Sequence, residues 1–187
     1  MGQRRAQVLQ AAIELLDEVG LDGLTMRLLA GRLGVRAGAL YRHYPSKQAL
    51  LDAMVAHLVT PPVDAAPQLG GPWDERLRGV AIGARELMLA HRDGARLMST
   101  FRDPGSAATA SYHGLIATLT AAGVPANTAA VAVDTVMAYV NGYTTEEQAR
   151  ATGARPRELR DRAFRDGLEL IITGVEAVCR GAAPPVL

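Results

Sequence analysis

Leu24-Thr-Met-Arg-Leu-Leu-Ala-Gly-Arg-Leu-Gly-Val-Arg-Ala-Gly-Ala-Leu-Tyr-Arg-His-Tyr44 is the stretch whose reading decides the fold. It reads as two short helices joined by a tight turn. Thr25 is a good N-cap, its hydroxyl placed to accept from the open amides of a first helical turn. Leu28, Leu29 and Leu33 follow at helical spacing. Ala30 is small where two helices must cross closely, and Gly34 stands where the turn needs a residue tolerant of positive φ. A second apolar set, Val35, Ala39 and Leu40, leaves Arg36, Ala37, Gly38, Tyr41, Arg42 and His43 outward. A second helix so basic and so thinly apolar is not core. This is the layout of a helix-turn-helix, whose second helix enters the DNA major groove.

The chain around it is helical and long enough for a core. Its 187 residues are 49% hydrophobic, which excludes a disordered chain, and scarce aromatics with abundant Ala, Leu and Val favour helices. The net charge of +1 hides an asymmetry. Residues 1–47 carry seven basic side chains (Arg4, Arg5, Arg27, Arg32, Arg36, Arg42, Lys47) against four acids (Glu14, Asp17, Glu18, Asp22), so the remainder is net negative. A basic head on a mildly acidic body suits a protein that touches phosphate with one end. The single Cys179 excludes an internal disulfide framework and fits a reducing compartment. No signal peptide or membrane span is read, so the expected location is cytoplasmic, with no membrane partner.

Working outward, Leu9, Ala12, Ile13, Leu16 and Val19 write a first helix that ends at Gly20. Pro45-Ser46 stops the recognition helix, and Ser46 caps a fourth helix through Leu50, Leu51, Met54 and Leu58. The segment from Thr60 to Pro72, rich in Pro and Gly, is a linker or loop. Further helices run from Trp73 to about Ala90, through Leu97, Met98 and Phe101, from about Ser106 to Ala121, from Pro125 to about Ala151, and from about Arg157 to Arg180. Asp103-Pro-Gly-Ser is a turn, and Ala182-Ala-Pro-Pro a frayed tail. The fold class is all-α. A three-helix helix-turn-helix domain (1–47) leads by a connecting helix (46–58) into a helical ligand-binding and dimerisation domain (59–187).

Three segments strengthen this reading: Glu18-Val-Gly-Leu-Asp-Gly-Leu-Thr-Met-Arg27, Leu33-Gly-Val35, and Leu40-Tyr-Arg-His-Tyr-Pro-Ser-Lys-Gln-Ala-Leu-Leu-Asp52. They resemble the N-terminal domain of TetR-family transcriptional regulators. His91-Arg-Asp-Gly-Ala-Arg96 and Gly167-Leu-Glu-Leu-Ile-Ile-Thr-Gly-Val-Glu176 extend the resemblance to the C-terminal domain of the tetracycline-repressor branch. The resemblance implies that Arg27 grips a guanine, a bidentate contact worth roughly 1–3 kcal/mol of discrimination. Arg36 and Ala37 fall where the family places base readers, and Arg36 replaces an acid of that branch, so a different operator is expected. Thr25, Tyr41, His43 and Lys47 match positions that hold the DNA backbone. Arg42 is either a phosphate contact or solvated, and Arg4 and Arg5 are either an N-terminal arm or a loose tail.

One recognition helix spans few base pairs, so a two-fold dimer on a palindrome is expected. Val133, Val136, Met137 and Val140, with Leu168, Ile171, Ile172 and Val175, are the candidate four-helix seam; the same stripes also serve to close each monomer's core. The resemblance marks an inducer pocket, and there the chain departs from the tetracycline-repressor branch. The magnesium-ligating His is matched by Met98, the drug-gripping Asn by Val80, the stacking Phe by Ala84 and the metal-side Thr by Phe101, while the water-bridging acid is kept as Glu146. Val80, Ala84, Met88, Met98 and Phe101 suggest a largely apolar organic effector, oriented by Tyr112, His113, Tyr139, Tyr143 or Glu146. No metal or cofactor is expected.

Enzyme readings fail on the motifs. His91-Arg-Asp lacks the downstream Asn and Gly-rich loop of a kinase, and the four histidines lack metal-ligand spacing. The expected function is a ligand-responsive, sequence-specific regulator, a repressor released from its operator by a small molecule. A corepressor-dependent or activating regulator, and a partner-binding module without DNA specificity, remain alternatives. The last would carry neutral or acidic residues at 27, 36, 42 and 47, where basic ones stand.

Overall fold

A computed structural model of the chain describes residues 2–60, 71–102, 105–150 and 155–181. Among them are nine helices and no strand: α1 (Gln3–Gly23), α2 (Met26–Arg32), α3 (Ala37–Tyr41), α4 (Lys47–Val59), α5 (Trp73–Leu89), α6 (Gly94–Met98), α7 (Gly105–Ala121), α8 (Ala126–Ala149) and α9 (Arg157–Gly181). Most of the expected linker (61–70), Asp103-Pro104 of the expected turn and the tail from Ala182 lie outside the described residues.

The described residues gather into two compact units, one drawn from 1–66 and 86–109, the other from 67–85 and 110–187. This division differs from the expected boundary near residue 58, because residues 91–102 are bonded to α1 and α4. Asp93 accepts from the Leu21 amide at 2.8 Å, and the Arg92 guanidinium donates to the Glu18 carbonyl at 2.7 Å. Gln48 donates to the Thr100 carbonyl, while Asp52 accepts from the Arg102 amide.

In the first unit α1 buries Val8, Leu9, Ala12, Ile13, Leu15 and Leu16 against Leu29, Ala30, Leu40, Leu50, Leu51, Met54 and Leu97. Each such Leu or Ile contributes about 1.5–3 kcal/mol. Gly20, at φ 74°, breaks the helical path of α1 where the sequence places its end. Leu28 is a correction: it is 44% exposed. At 100° per residue Met26, Leu29, Ala30 and Leu33 share one side of α2, and Leu28 points away from it. Tyr44, which the sequence reading left unassigned, is fully buried.

In the second unit Leu115, Leu119, Val124, Ala129, Ala132, Val133 and Val175 form a core, with Trp73, Val80, Tyr112, Ile116, Met137 and Cys179 packed against it. Phe164 of α9 stacks on Tyr139 of α8 at 5.4 Å between ring centroids.

Close approach constrains one position above others. A Cβ at Gly94 would lie 2.1 Å from the Met88 carbonyl oxygen, a backbone atom that cannot swing aside. Gly94→Ala is therefore expected to destabilise the protein by about 3 kcal/mol, read as an earlier urea midpoint at unchanged slope. An unaltered midpoint would mean that α5 and α6 are not packed this closely.

Candidate nucleic-acid interface

The helix-turn-helix is built by caps and one turn. The Thr25 hydroxyl accepts from the Leu28 amide at 3.1 Å, starting α2 as its sequence predicts. Gly34, at φ 64°, closes it: its amide bonds the Gly31 carbonyl, and the Val35 amide reaches back to the Ala30 carbonyl at 3.0 Å. That left-handed step strongly favours glycine and sets the crossing of α2 and α3. Leu40 is the one buried residue of α3, so the rest of this short helix is presented outward or half-buried. Ser46 then caps α4, its hydroxyl accepting from the Ala49 amide at 3.0 Å.

Arg27, Arg36, Tyr41 and Arg42 are exposed, and Ala37, His43 and Lys47 are half-buried. Ala37 and His43 are thus less outward than the sequence suggested, since Ala37 packs against the core of this unit. The Lys47 ammonium donates to the Leu21 carbonyl at 3.4 Å, leaving it two further donors.

Charge is sorted within this unit. All four α1 carboxylates have partners: Glu14 and Glu18 bind Arg32 (3.3 and 2.6 Å), Asp17 meets His91 at 3.0 Å, and Asp22 binds Arg96 at 2.9 Å. The bond from Arg96 holds the Asp22 carboxyl below its usual range, and the bond to Glu18 raises Arg32. Arg32 is therefore engaged, not freely solvated. By contrast Arg4, Arg27, Arg36 and Arg42 make no ion pair among the described residues. A guanidinium keeps its charge at all working pH values, so these arginines leave their charge without a carboxylate partner in the described fold.

The sequence pattern described as "Bacterial regulatory proteins, tetR family" matches residues 8–54, and that of "Tetracyclin repressor-like, C-terminal domain" matches residues 66–161. The tetracycline repressor class A of transposon 1721 from Escherichia coli is 40% identical over 151 residues, 80% of this chain and 69% of that protein. The chain belongs to the TetR family. Among solved structures, a TetR variant from Acinetobacter baumannii AYE in complex with minocycline superposes with a TM-score of 0.84 at 34% identity, covering 96% of this chain and 98% of that one. BioQ with its double-stranded DNA operator superposes at 0.75 and 34% identity, covering 92% and 98%. TetR-family members are DNA-binding transcription regulators, not enzymes. Among the described residues no helix is long and apolar enough to cross a membrane.

The pocket residues expected from the family resemblance fall in both units. Val80, Ala84, Tyr112, His113, Tyr139, Tyr143 and Glu146 belong to the second, and Met88, Met98 and Phe101 to the first. Met88 is buried, Met98 packs against the first core and Phe101 is 38% exposed. Several expected orienting groups are occupied. The Tyr139 and Tyr143 hydroxyls donate to the Phe164 and Arg160 carbonyls, both at 3.0 Å, and Tyr112 donates to Asp134. Burial pushes both the Tyr139 and Tyr143 hydroxyls up. Glu146 is exposed and pairs with Arg150 at 3.1 Å.

Within the single chain, the candidate seam residues take the core role that the sequence reading also gave them. Val133, Val136, Val140, Leu168, Ile172 and Val175 are buried within the single chain, so they close its own core; Met137 and Ile171 are half-buried. A side chain already withdrawn from water gains nothing more from a partner. The apolar surface that α8 and α9 leave open is instead Val131, Leu159, Leu170 and Val178.

One cluster was missed outright. Arg85 of α5 is buried and donates to both Glu147 oxygens at 2.9 Å and to Asp161 at 2.7 Å, with its guanidinium 4.9 Å from the Phe164 ring centre. Arg160 approaches Glu147 at 3.1 Å. Burial opposes the Arg85 charge, and the bonds it donates to Glu147 and Asp161 outweigh it. A signal was present: Leu77, Ala81, Arg85 and Met88 repeat at helical spacing, as do Val136, Val140, Thr144 and Glu147, so each charge stands in an apolar stripe.

Breaking such a pair strands a buried charge. Glu147→Gln is expected to cost about 3–5 kcal/mol of unfolding free energy, whereas Arg85→Met with Glu147→Leu costs less than that single change. The bond from Arg85 holds the Asp161 carboxyl below its usual range. Its contribution is therefore complete above the unfolded value near 3.9 and is lost as pH falls below it. Thermal melts from pH 6 to 3 should show an acid-side loss that Asp161→Asn reduces; parallel curves would contradict this.

Proposed function

We propose that the chain is a homodimeric, sequence-specific DNA-binding repressor, released from a palindromic operator by a small, largely apolar organic effector. The observation that carries the DNA reading is the set of unpaired arginines on and beside a capped helix-turn-helix. Arg27 and Arg36, together with Ala37, read base edges. Thr25, Tyr41, Arg42, His43 and Lys47 hold phosphates and fix register. Thr25 uses both ends of its hydroxyl, since it accepts from the Leu28 amide and keeps its proton for an external oxygen. Residues 1–47 act as the DNA-binding domain, 46–58 as connector and 59–187 as the ligand-binding and dimerisation domain. Work on DNA implies a cytoplasmic location.

Dimerisation is supported by exposed stripes on the second unit. Leu170, Gly174 and Val178 repeat along α9, as do Val131, Thr135, Ala138 and Gly142 along α8, and these residues are exposed. Half-buried Met137 and Ile171 flank them. Paired stripes of this kind suit a four-helix seam between two copies.

The effector differs from a tetracycline–magnesium complex. Methionine at position 98 offers no imidazole, and Glu146 already binds Arg150. Val80, Ala84, Met88, Met98 and Phe101 are apolar, which suits an effector of the same character. The effector favours one arrangement of the body, shifts α4 and spoils the spacing of the two recognition helices. Such coupling is typically about 1–3 kcal/mol and reciprocal, so operator DNA weakens effector binding equally.

Selection from random duplex DNA tests this reading. A palindromic consensus is expected, with guanine preference relaxed by about 1–3 kcal/mol in Arg27→Ala or Arg36→Ala, and lost affinity in Leu170→Asp, which sediments as a monomer. No enrichment at low salt from a folded dimer would sink it.

A further inference from the structure

Arg4 and Arg5 are neighbours on the first turn of α1, yet they meet different surroundings. The Arg5 guanidinium lies 5.0 Å from the centre of the Tyr44 ring, and the Arg5 carbonyl accepts from the Tyr44 hydroxyl at 3.2 Å. Tyr44 is fully buried and follows the recognition helix by three residues, so it is a rigid post. Through it, the start of α1 is fastened to the end of the helix-turn-helix. An N-terminal arm without such a tie would lose several rotamers on binding anything.

The consequence is a groove of about 360 Å³ in the first unit, lined by Arg4, Gln7 and Val8 of α1, by Leu33 and Val35 of the turn, and by Ala39, Leu40 and His43. No carboxylate lines it, and Arg4 makes no ion pair among the described residues. Every acid of α1 lies further along the helix and is already bonded. The groove thus gathers a permanent cation, an amide and an imidazole over an apolar floor, beside the helix that reads the major groove.

We infer that this groove is a further anchor for the DNA backbone: Arg4 takes a phosphate, with Gln7 and His43 beside it, and Tyr44 is the positioning residue that holds Arg4 there. The inference rests on the DNA-binding reading above and adds a contact outside the helix-turn-helix. A duplex engaged by α3 carries its backbone past the end of that helix, where His43 stands. A phosphate contact is independent of sequence, so the anchor strengthens binding to any duplex and fixes register without choosing bases.

The test is the salt dependence of binding, measured on the selected operator and on a duplex of unrelated sequence. Each phosphate contact contributes about 0.9 to the slope of log affinity against log salt. Arg4→Ala is expected to lower that slope by about one per bound protomer and to weaken both duplexes by a similar factor, about tenfold per bound protomer at 0.1 M salt. Arg4→Lys restores the slope. Tyr44→Phe, which keeps the buried ring, lowers the slope in part, and Arg4→Ala costs less in that background than in the wild type. Circular dichroism melts show whether each variant is folded. Wild-type binding with an unchanged slope in Arg4→Ala overturns the anchor alone. An equal cost of Arg4→Ala in both backgrounds removes the role of Tyr44. A wild-type protein that binds neither duplex at low salt removes the DNA reading, and the anchor with it.

Discussion

An arginine in a protein keeps its charge, so it either finds a carboxylate within the fold or presents that charge to whatever arrives. The first unit obeys this rule in two directions. Along α1 each acid is matched, and the partners are Arg32 from the helix-turn-helix and His91 and Arg96 from the segment before and within α6. These pairs, with Asp93 on the Leu21 amide, bind residues 91–102 into the same unit as the helix-turn-helix. In α2, beside α3 and in the first turn of α1, the arginines other than Arg32 have no such match among the described residues. The same excess of arginine over acid that is only a small number in the composition becomes, once sorted, a set of charges paired within the fold and a set of arginines with no carboxylate partner among the described residues.

The second unit follows the opposite logic. Arg85, Glu147 and Asp161 are brought together away from water, where every donor must be answered. Glu147 takes two bonds from Arg85 and Asp161 a third, while the Phe164 ring covers the guanidinium. The cluster ties α5, α8 and α9, and the stacked Tyr139 and Phe164 continue the same seam. Gly167 belongs to it: a Cβ there would meet the Tyr139 hydroxyl at 2.3 Å. The chemistry of this seam is polar bonding inside an apolar stripe, which leaves the outer faces of α8 and α9 for another use.

Much of this was legible in the sequence, because helices advertise themselves by spacing and by caps. Thr25, Gly34 and Ser46 each do in the structure what their residue type suggests. What escaped was set by partners distant in the chain. Tyr44 has no role legible in the sequence until Arg5 is placed beside it, 39 residues away. Arg85 drew no reading from the sequence, because Glu147 and Asp161, which meet it, lie 62 and 76 residues away. The valines of α8 read from the sequence as a candidate dimer seam that also closes the monomer core, and their burial within one chain shows the core role. The effector is less legible still, since its candidate residues are small or apolar and name a texture instead of a reaction.

If the helix-turn-helix and the first turn of α1 meet DNA, and the ion-paired acids of α1 with residues 91–99 do not, the two sets of residues respond differently to an operator. Hydrogen exchange with and without the selected operator reads this directly, peptide by peptide. Added protection across residues 25–47 and in the first turn of α1, with exchange across 14–22 and 91–99 little changed, is the predicted pattern. Protection confined to 14–22 and 91–99 would put the DNA on the wrong side of α1 and contradict the account.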